Sequence, residues 1–289
     1  MAARVAVMEP TRERMVSSAL RRVATAVVFI PLFVGLLTRA PGWLFPALIS
    51  AAAAIALWEF YRLFEHAGQP CQGRLGLVLG LALVVSFEMA GASAGIVPAL
   101  PALVLSLAVA IIVTAPIATG GKPATEGVAL TLLGVLYVSW FLGHVLLLRH
   151  LDDGNALVLV LVGVTWIGET AAYAVGSLIG RHNLVPAISP GKTVEGAVAQ
   201  LAASIAAAVV LGPGWLLPGW TAGFAAGAGV ILGVVGQLGD LAESAIKRSV
   251  GVKDAGGLIP GHGGVLDRID GLLFNVPALY YYVRLGSGA

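Results

Sequence analysis

Nine apolar runs, each long enough for a membrane helix, occupy this sequence from residue 23 to residue 286. They cover 23–39, 43–63, 75–92, 96–117, 127–148, 156–178, 196–216, 219–241 and 268–286. A helix needs about 20 mostly apolar residues to cross the hydrocarbon core of a bilayer. Lipid offers the backbone no water, so only helices and closed barrels span it. Barrel strands alternate in polarity, and these runs do not, which predicts helices. The expected fold is all-α: a polytopic integral membrane protein of about nine transmembrane helices. Spans three and four meet at Gly91, Gly95, Pro98 and Pro101, which blur their boundary.

Composition agrees. Mean hydropathy is +0.93 and only 11% of residues are charged, against about 25% in soluble domains. A net charge of +2 is too small to attract nucleic acid. The single cysteine, Cys71, excludes an intramolecular disulfide and a thiolate metal cluster.

Lys and Arg placement orients the spans. With the N-terminus cytoplasmic, the tail and the even-numbered loops hold 14 of the 17 basic residues, leaving Arg39, Arg149 and Arg284 opposite. The expectation is a multi-pass protein of the cell's inner (plasma) membrane, with the loops after spans six and eight on the cytoplasmic face. Three regions follow: a basic tail at 1–22, N-terminal transmembrane helices at 23–155, and a C-terminal transmembrane region at 156–289 that carries the polar chemistry. The tail holds five arginines and two glutamates and reads as the flank of a retained signal anchor rather than of a cleaved signal peptide.

The chemistry concentrates in SAIKRSVGVKDAGGLIPGHGGVLDRID, residues 244–270. Together with Asp240 and Glu243 it carries five carboxylates and four Lys/Arg, nine of the chain's 32 charges. If the helix of span eight runs past the membrane surface, Asp240, Glu243, Ser244 and Lys247 share one face. Asp267 and Asp270 share a face where span nine begins, and the helix dipole favours carboxylates there. The glycine-rich stretch between them can bring backbone N–H groups close to phosphate. Carboxylates on two helix ends, with basic groups between them, suit a magnesium–polyphosphate site. A loop that merely obeys the positive-inside rule would need neither the acids nor the paired glycines.

A second polar island lies at 166–196. Ser189-Pro190-Gly191-Lys192-Thr193 reads as a loop leading into a helix, with Ser189 or Thr193 as its cap and an anion site at its N-terminus. The GKT is no P-loop: GxxxxGK(S/T) requires a glycine at 186, where the chain has proline, and no strand is expected ahead of it. Glu169, with Tyr173 one turn on, is an intramembrane carboxylate and thus a functional candidate.

The fixed positions from Ser244 to Asp270 resemble the signature of phosphatidate cytidylyltransferases (CDP-diacylglycerol synthases). Ser244, Lys247, Arg248, Lys253, Asp254, His262, Gly263, Gly264, Asp267, Arg268 and Asp270 all stand at signature positions. The LGD ending at Asp240 and the SPxKTxEG of 189–196 are similar as well. The chain departs at Glu169, where the family often has aspartate, and at Gly191, where it often has a second lysine. The resemblance implies CTP and phosphatidic acid as substrates, CDP-diacylglycerol and pyrophosphate as products, and a role in phospholipid biosynthesis. It further implies a homodimer and magnesium, with potassium as a second ion. Asp240, Lys247, Asp267 and Asp270 are then the candidate catalytic residues, with Asp240, Asp267 and Asp270 as metal ligands. Ser189, Lys192, Thr193, Ser244, Arg248, Lys253, His262, Gly263, Gly264 and Arg268 are the candidate substrate contacts.

Two rivals remain. A CTP-dependent lipid or polyprenol kinase needs the same metal and basic groups. A secondary transporter could use the spans and Glu169, but its polar groups belong at mid-membrane in paired halves. Here they gather at one interface. The DGxxAR pattern of a CDP-alcohol phosphotransferase is absent from the sequence.

Overall fold

The computed structural model describes residues 31–93, 97–118, 125–256 and 264–286. The chain divides into two compact units, Met1–Phe45 and Pro46–Ala289. In the first, residues 31–38 form helix α1.

The remaining helices are α2 (Leu44–His66), α3 (Gly73–Ala92), α4 (Leu100–Ala118), α5 (Thr125–Gly134), α6 (Phe141–Arg149), α7 (Gly154–Ile179), α8 (Val194–Leu211), α9 (Ala222–Ser249) and α10 (Leu266–Gly286). The α5 and α6 helices are one rod, joined by a π-helical turn at Val135–Trp140. Among the described residues, seven helices are long and apolar enough to cross a membrane, with α5–α6 counted as one. Spans two to eight of the sequence reading are these seven. Span one lies largely outside the described residues. Span nine forms α10, which is not among the seven. Its first turn carries Asp267 and Arg268, and Asp270 follows one turn on. The protein is thus all-α and polytopic, and the count of nine spans is not reached among the described residues.

Two linked local expectations fail. Ser189–Thr193 is not a loop but strand β2, paired antiparallel with β1 (Asn183–Val185). The pairing places Asn183 opposite Thr193 and Val185 opposite Ser189, and Val194 N–H donates to His182 O at 2.8 Å. Pro186 falls in the turn, where its missing N–H is not needed. The expectation of no strand ahead of GKT fails too, since β1 stands there, but the P-loop remains excluded, because position 186 is proline and GKT lies within β2 rather than in a loop after a strand.

Helices in lipid gain nothing from burying apolar groups against one another, so close packing of small residues decides their association. On α9 a stripe of glycines makes this possible. A Cβ at Gly229 would lie 2.5 Å from the Ile205 Cα of α8, so the two backbones touch. Gly233 faces Leu201 of α8, and Gly236 faces Asn275 of α10. Asn275 in turn donates to Thr165 Oγ1 of α7 at 2.9 Å, and Gln237 donates to Ala197 O of α8 at 2.9 Å. In the N-terminal helices, Tyr61 of α2 donates to Thr131 O of α5 at 2.9 Å.

The connections after α2, α7 and α9 lie at one end of the bundle. The Arg248 guanidinium at the end of α9 donates to Ile188 O beside β2, and Glu59, near the end of α2, reaches the start of α10. At about 1.5 Å per residue, the 28 residues of α9 extend well past a hydrocarbon core of about 30 Å. The last turns of α9 thus carry their charges to the membrane surface.

Candidate active site

Three carboxylates converge where α9 and α10 meet. Oxygens of Asp240 and Glu243 on α9 and Asp270 on α10 lie within 4.8 Å of one another. Glu243 is only 1% exposed, and its Oε1 has no hydrogen-bond partner among the described residues. Asp270 Oδ1 accepts from Gly271 N–H at 2.8 Å. Glu169 of α7 abuts Gly271 and so borders the same cluster.

Two lysines flank the carboxylates. From β2, Lys192 Nζ reaches Asp240 Oδ2 at 2.6 Å. On the other side, Lys247 Nζ pairs with Glu243 one turn back on α9 and with Asp267 Oδ1 at 2.8 Å. Lys247 is 13% exposed and Asp267 8%, so these are sheltered ion pairs, and removing one partner would leave the other charge buried and uncompensated. Asp267 has further partners: Ala255 N–H donates to both its oxygens at 3.1 Å, and Gly264 N–H donates to Oδ2 at 2.7 Å.

The residues read from the sequence therefore divide. Asp240, Asp270, Lys192 and Lys247 come together, with Asp267 attached through Lys247. Of the three expected metal ligands, Asp240 and Asp270 stand in the carboxylate cluster. Asp267 stands beside it, its oxygens engaged by a lysine and two backbone amides. Thr193 caps α8, its Oγ1 accepting from Gly196 N–H at 3.1 Å. Ser189 is half-buried in β2, and Ser244 is half-buried on α9. Arg248 also donates to Val252 O at 3.0 Å. Lys253, Asp254 and Arg268 are exposed, and Gly264 ties Asp267. His262 and Gly263 lie outside the described residues.

Two residues were not foreseen as part of the site. Glu243 was placed on the right face of α9 but not among the ligands. The signal was its position one turn after Asp240, pointing at the same axis. Glu59 had only a weak signal, a single carboxylate inside an apolar run.

The donor set fits a hard divalent cation. Every ligand atom is a carboxylate oxygen, the hard donor type such a cation takes, and a buried acceptor, Glu243 Oε1, has no donor among the described residues. Asp240, Glu243, Asp267 and Asp270 face Lys192 and Lys247. Carboxylates outnumber the lysines here, which leaves negative charge for a cation to neutralise.

Residues 20–286 match the model of the cytidylyltransferase family. The chain belongs to the cytidylyltransferase family. Among the family's curated members, the phosphatidate cytidylyltransferase of Bacillus subtilis strain 168 is 31% identical over 266 residues, covering 92% of this chain and 96% of that protein. The corresponding enzyme of Staphylococcus saprophyticus is 40% identical over 158 residues, covering 52% of this chain and 57% of its own length. Protein YnbB of Escherichia coli K12 is 40% identical over 158 residues, 55% of this chain. Against YnbB the chain spans about half of the relative's length, 52%.

Proposed function

We propose that this cytidylyltransferase-family protein is a phosphatidate cytidylyltransferase, converting CTP and phosphatidic acid to CDP-diacylglycerol and pyrophosphate for phospholipid biosynthesis. The observation that carries this reading is the cluster of Asp240, Glu243 and Asp270 at the end of a membrane bundle, flanked by Lys192 and Lys247. The two substrates are both anionic and one is a lipid. A charge-neutralising site at the bilayer surface serves both.

A phosphate oxygen of phosphatidate attacks the α-phosphorus of CTP. A new P–O bond forms, the bond from the α-phosphorus to its bridging oxygen breaks, and pyrophosphate leaves with the electron pair. A phosphate monoester is largely ionised near neutral pH, so the step needs no strong general base. The barrier lies instead in bringing two anions together and in the charge on the leaving group. Asp240, Glu243 and Asp270 would hold magnesium, which when bound supplies positive charge to the triphosphate. Potassium is the second ion that the family resemblance admits.

The chain's own residues do the rest. Lys192 sits 2.6 Å from Asp240 on a strand anchored to the capped end of α8, so it can pass from carboxylate to phosphate with little motion. Lys247 is held between Glu243 and Asp267 and fixes the spacing of the two helix ends. Arg248, Lys253 and Arg268 offer further positive charge for the phosphates, Ser189, Thr193 and Ser244 offer neutral hydrogen bonds, and His262, Gly263 and Gly264 are further candidate contacts by the family resemblance. We further propose a multi-pass protein of the inner (plasma) membrane, working as a homodimer, with its N-terminus and site on the cytoplasmic side, as the basic residues of the even-numbered loops favour.

The test uses purified protein in detergent with phosphatidate and CTP labelled at the α-phosphate. Transfer of label into lipid, with one pyrophosphate released per lipid labelled, is expected. Label recovered only as free CDP, with the lipid gaining the γ-phosphate, would replace this reading with the CTP-dependent kinase.

A further inference from the structure

Glu59 lies on α2, in the N-terminal half of the chain, yet it is 1% exposed and engages the segment between α9 and α10. Its Oε2 accepts from Leu266 N–H at 2.9 Å, across 207 residues of sequence. Leu266 opens α10, and its amide is among those a helix cannot satisfy internally. A Cβ at Gly256 would lie 2.6 Å from Glu59 Oε1, and one at Gly264 would lie 2.6 Å from Oε2 and 2.8 Å from Oε1. No side chain fits in that space, so the carboxylate is pressed against both ends of the glycine-rich segment.

The same two points are held from the other side. Asp267 accepts from Ala255 N–H, next to Gly256, and from Gly264 N–H. Asp267 also pairs with Lys247, which pairs with Glu243 of the carboxylate cluster. A continuous set of contacts therefore runs from an N-terminal membrane helix to the candidate metal ligands. A buried carboxylate is costly unless its oxygens are engaged, and a purely packing role at this position would be met by an apolar side chain.

We propose that Glu59 is a positioning residue for the reaction: it backs the two ends of the glycine-rich segment so that Asp267, and through it Lys247, stand where the phosphates bind. This rests on the proposed activity for its kinetic readout, though not for its structural one. Glycine at 256 and 264 is then required by Glu59 itself.

The experiment compares Glu59→Ala, Glu59→Gln, Gly264→Ala and the Glu59→Ala/Gly264→Ala double variant, each purified in detergent and normalised to folded protein. Glu59→Ala is expected to lower kcat by about 100-fold, the effect of a misplacement of about 1 Å, with a smaller change in the KM for CTP. Glu59→Gln keeps an acceptor for Leu266 N–H and the same shape, and is expected to stay within about tenfold of the parent. Gly264→Ala alone should be severely impaired, yet add less than about threefold once Glu59 is alanine, because contacting residues are not additive. Hydrogen exchange at 264–268 supplies a readout independent of activity: it should accelerate in Glu59→Ala and not in Glu59→Gln. If the parent protein transfers no cytidylyl group, the proposed activity fails while the exchange data still decide the placement of Glu59. Additive costs in the double variant, or unchanged exchange in Glu59→Ala, would overturn the proposal.

Discussion

Replacing Asp267 with asparagine separates two roles that the sequence alone leaves merged. The side chain is nearly isosteric, so packing is preserved. What changes is the charge facing Lys247 and one of the two acceptor oxygens serving Ala255 and Gly264. Removing one partner of a sheltered ion pair costs about 3–5 kcal/mol, and a lost hydrogen bond to a charged group costs about 1.5–3 kcal/mol. Lys247 keeps Glu243, which places the net cost near the lower end, about 3–4 kcal/mol. That cost falls on the folded state, and turnover suffers through displacement of Lys247: a shift of about 1 Å lowers it by about 100-fold. The assay is phosphatidate-dependent transfer of α-labelled cytidylyl into lipid, repeated across a magnesium titration from micromolar to tens of millimolar. Because Asp267 stands outside the Asp240–Glu243–Asp270 cluster and touches it only through Lys247, the magnesium concentration for half-maximal rate should rise less than in Glu243→Gln. Full activity would refute the anchoring role. A defect repaired by added magnesium would return Asp267 to the metal.

The remaining expectations are brief. Glu243→Gln should raise the magnesium requirement by about 10–100-fold, read in the same titration, because it removes a ligand charge from the cluster. Lys192→Met should raise the KM for CTP by about tenfold or more, measured by initial rates, since it strips the cation next to Asp240. Gly229→Val should prevent recovery of monodisperse protein by size exclusion in mild detergent, because its Cβ meets the α8 backbone at 2.5 Å and backbone cannot yield as a side chain can. Recovery of normally folded Gly229→Val would show that the α8–α9 crossing is looser than the structure has it.

Much of this molecule is legible along the chain because its solvent is lipid. Unbroken apolar runs admit one backbone solution, so seven helices stand where the runs placed them, and α9 runs eight residues past its apolar run, to Ser249. The strand at Ser189–Thr193 escaped, because five residues with a central Pro-Gly carry no alternation, and only pairing with Asn183–Val185 makes a strand of them. Span nine shows the opposite limit. Its apolar run predicted α10, but the charges at its start belong to the site as much as to the helix.

At the site, the sequence determined which groups are present and how those within one helix are spaced. Period 3.6 fixes Asp240, Glu243 and Lys247 on one face of α9, and Asp267 with Asp270 on one face of α10, independently of any tertiary contact. Tertiary structure decided which carboxylate meets which cation. The approach of α9 to α10 joins Asp270 to Asp240 and Glu243, while Lys247 and two backbone amides hold Asp267 aside. It alone brings Glu59 to Leu266 across 207 residues. Periodicity is local, whereas the partner of a buried charge is set by helices that meet only after the whole bundle has packed.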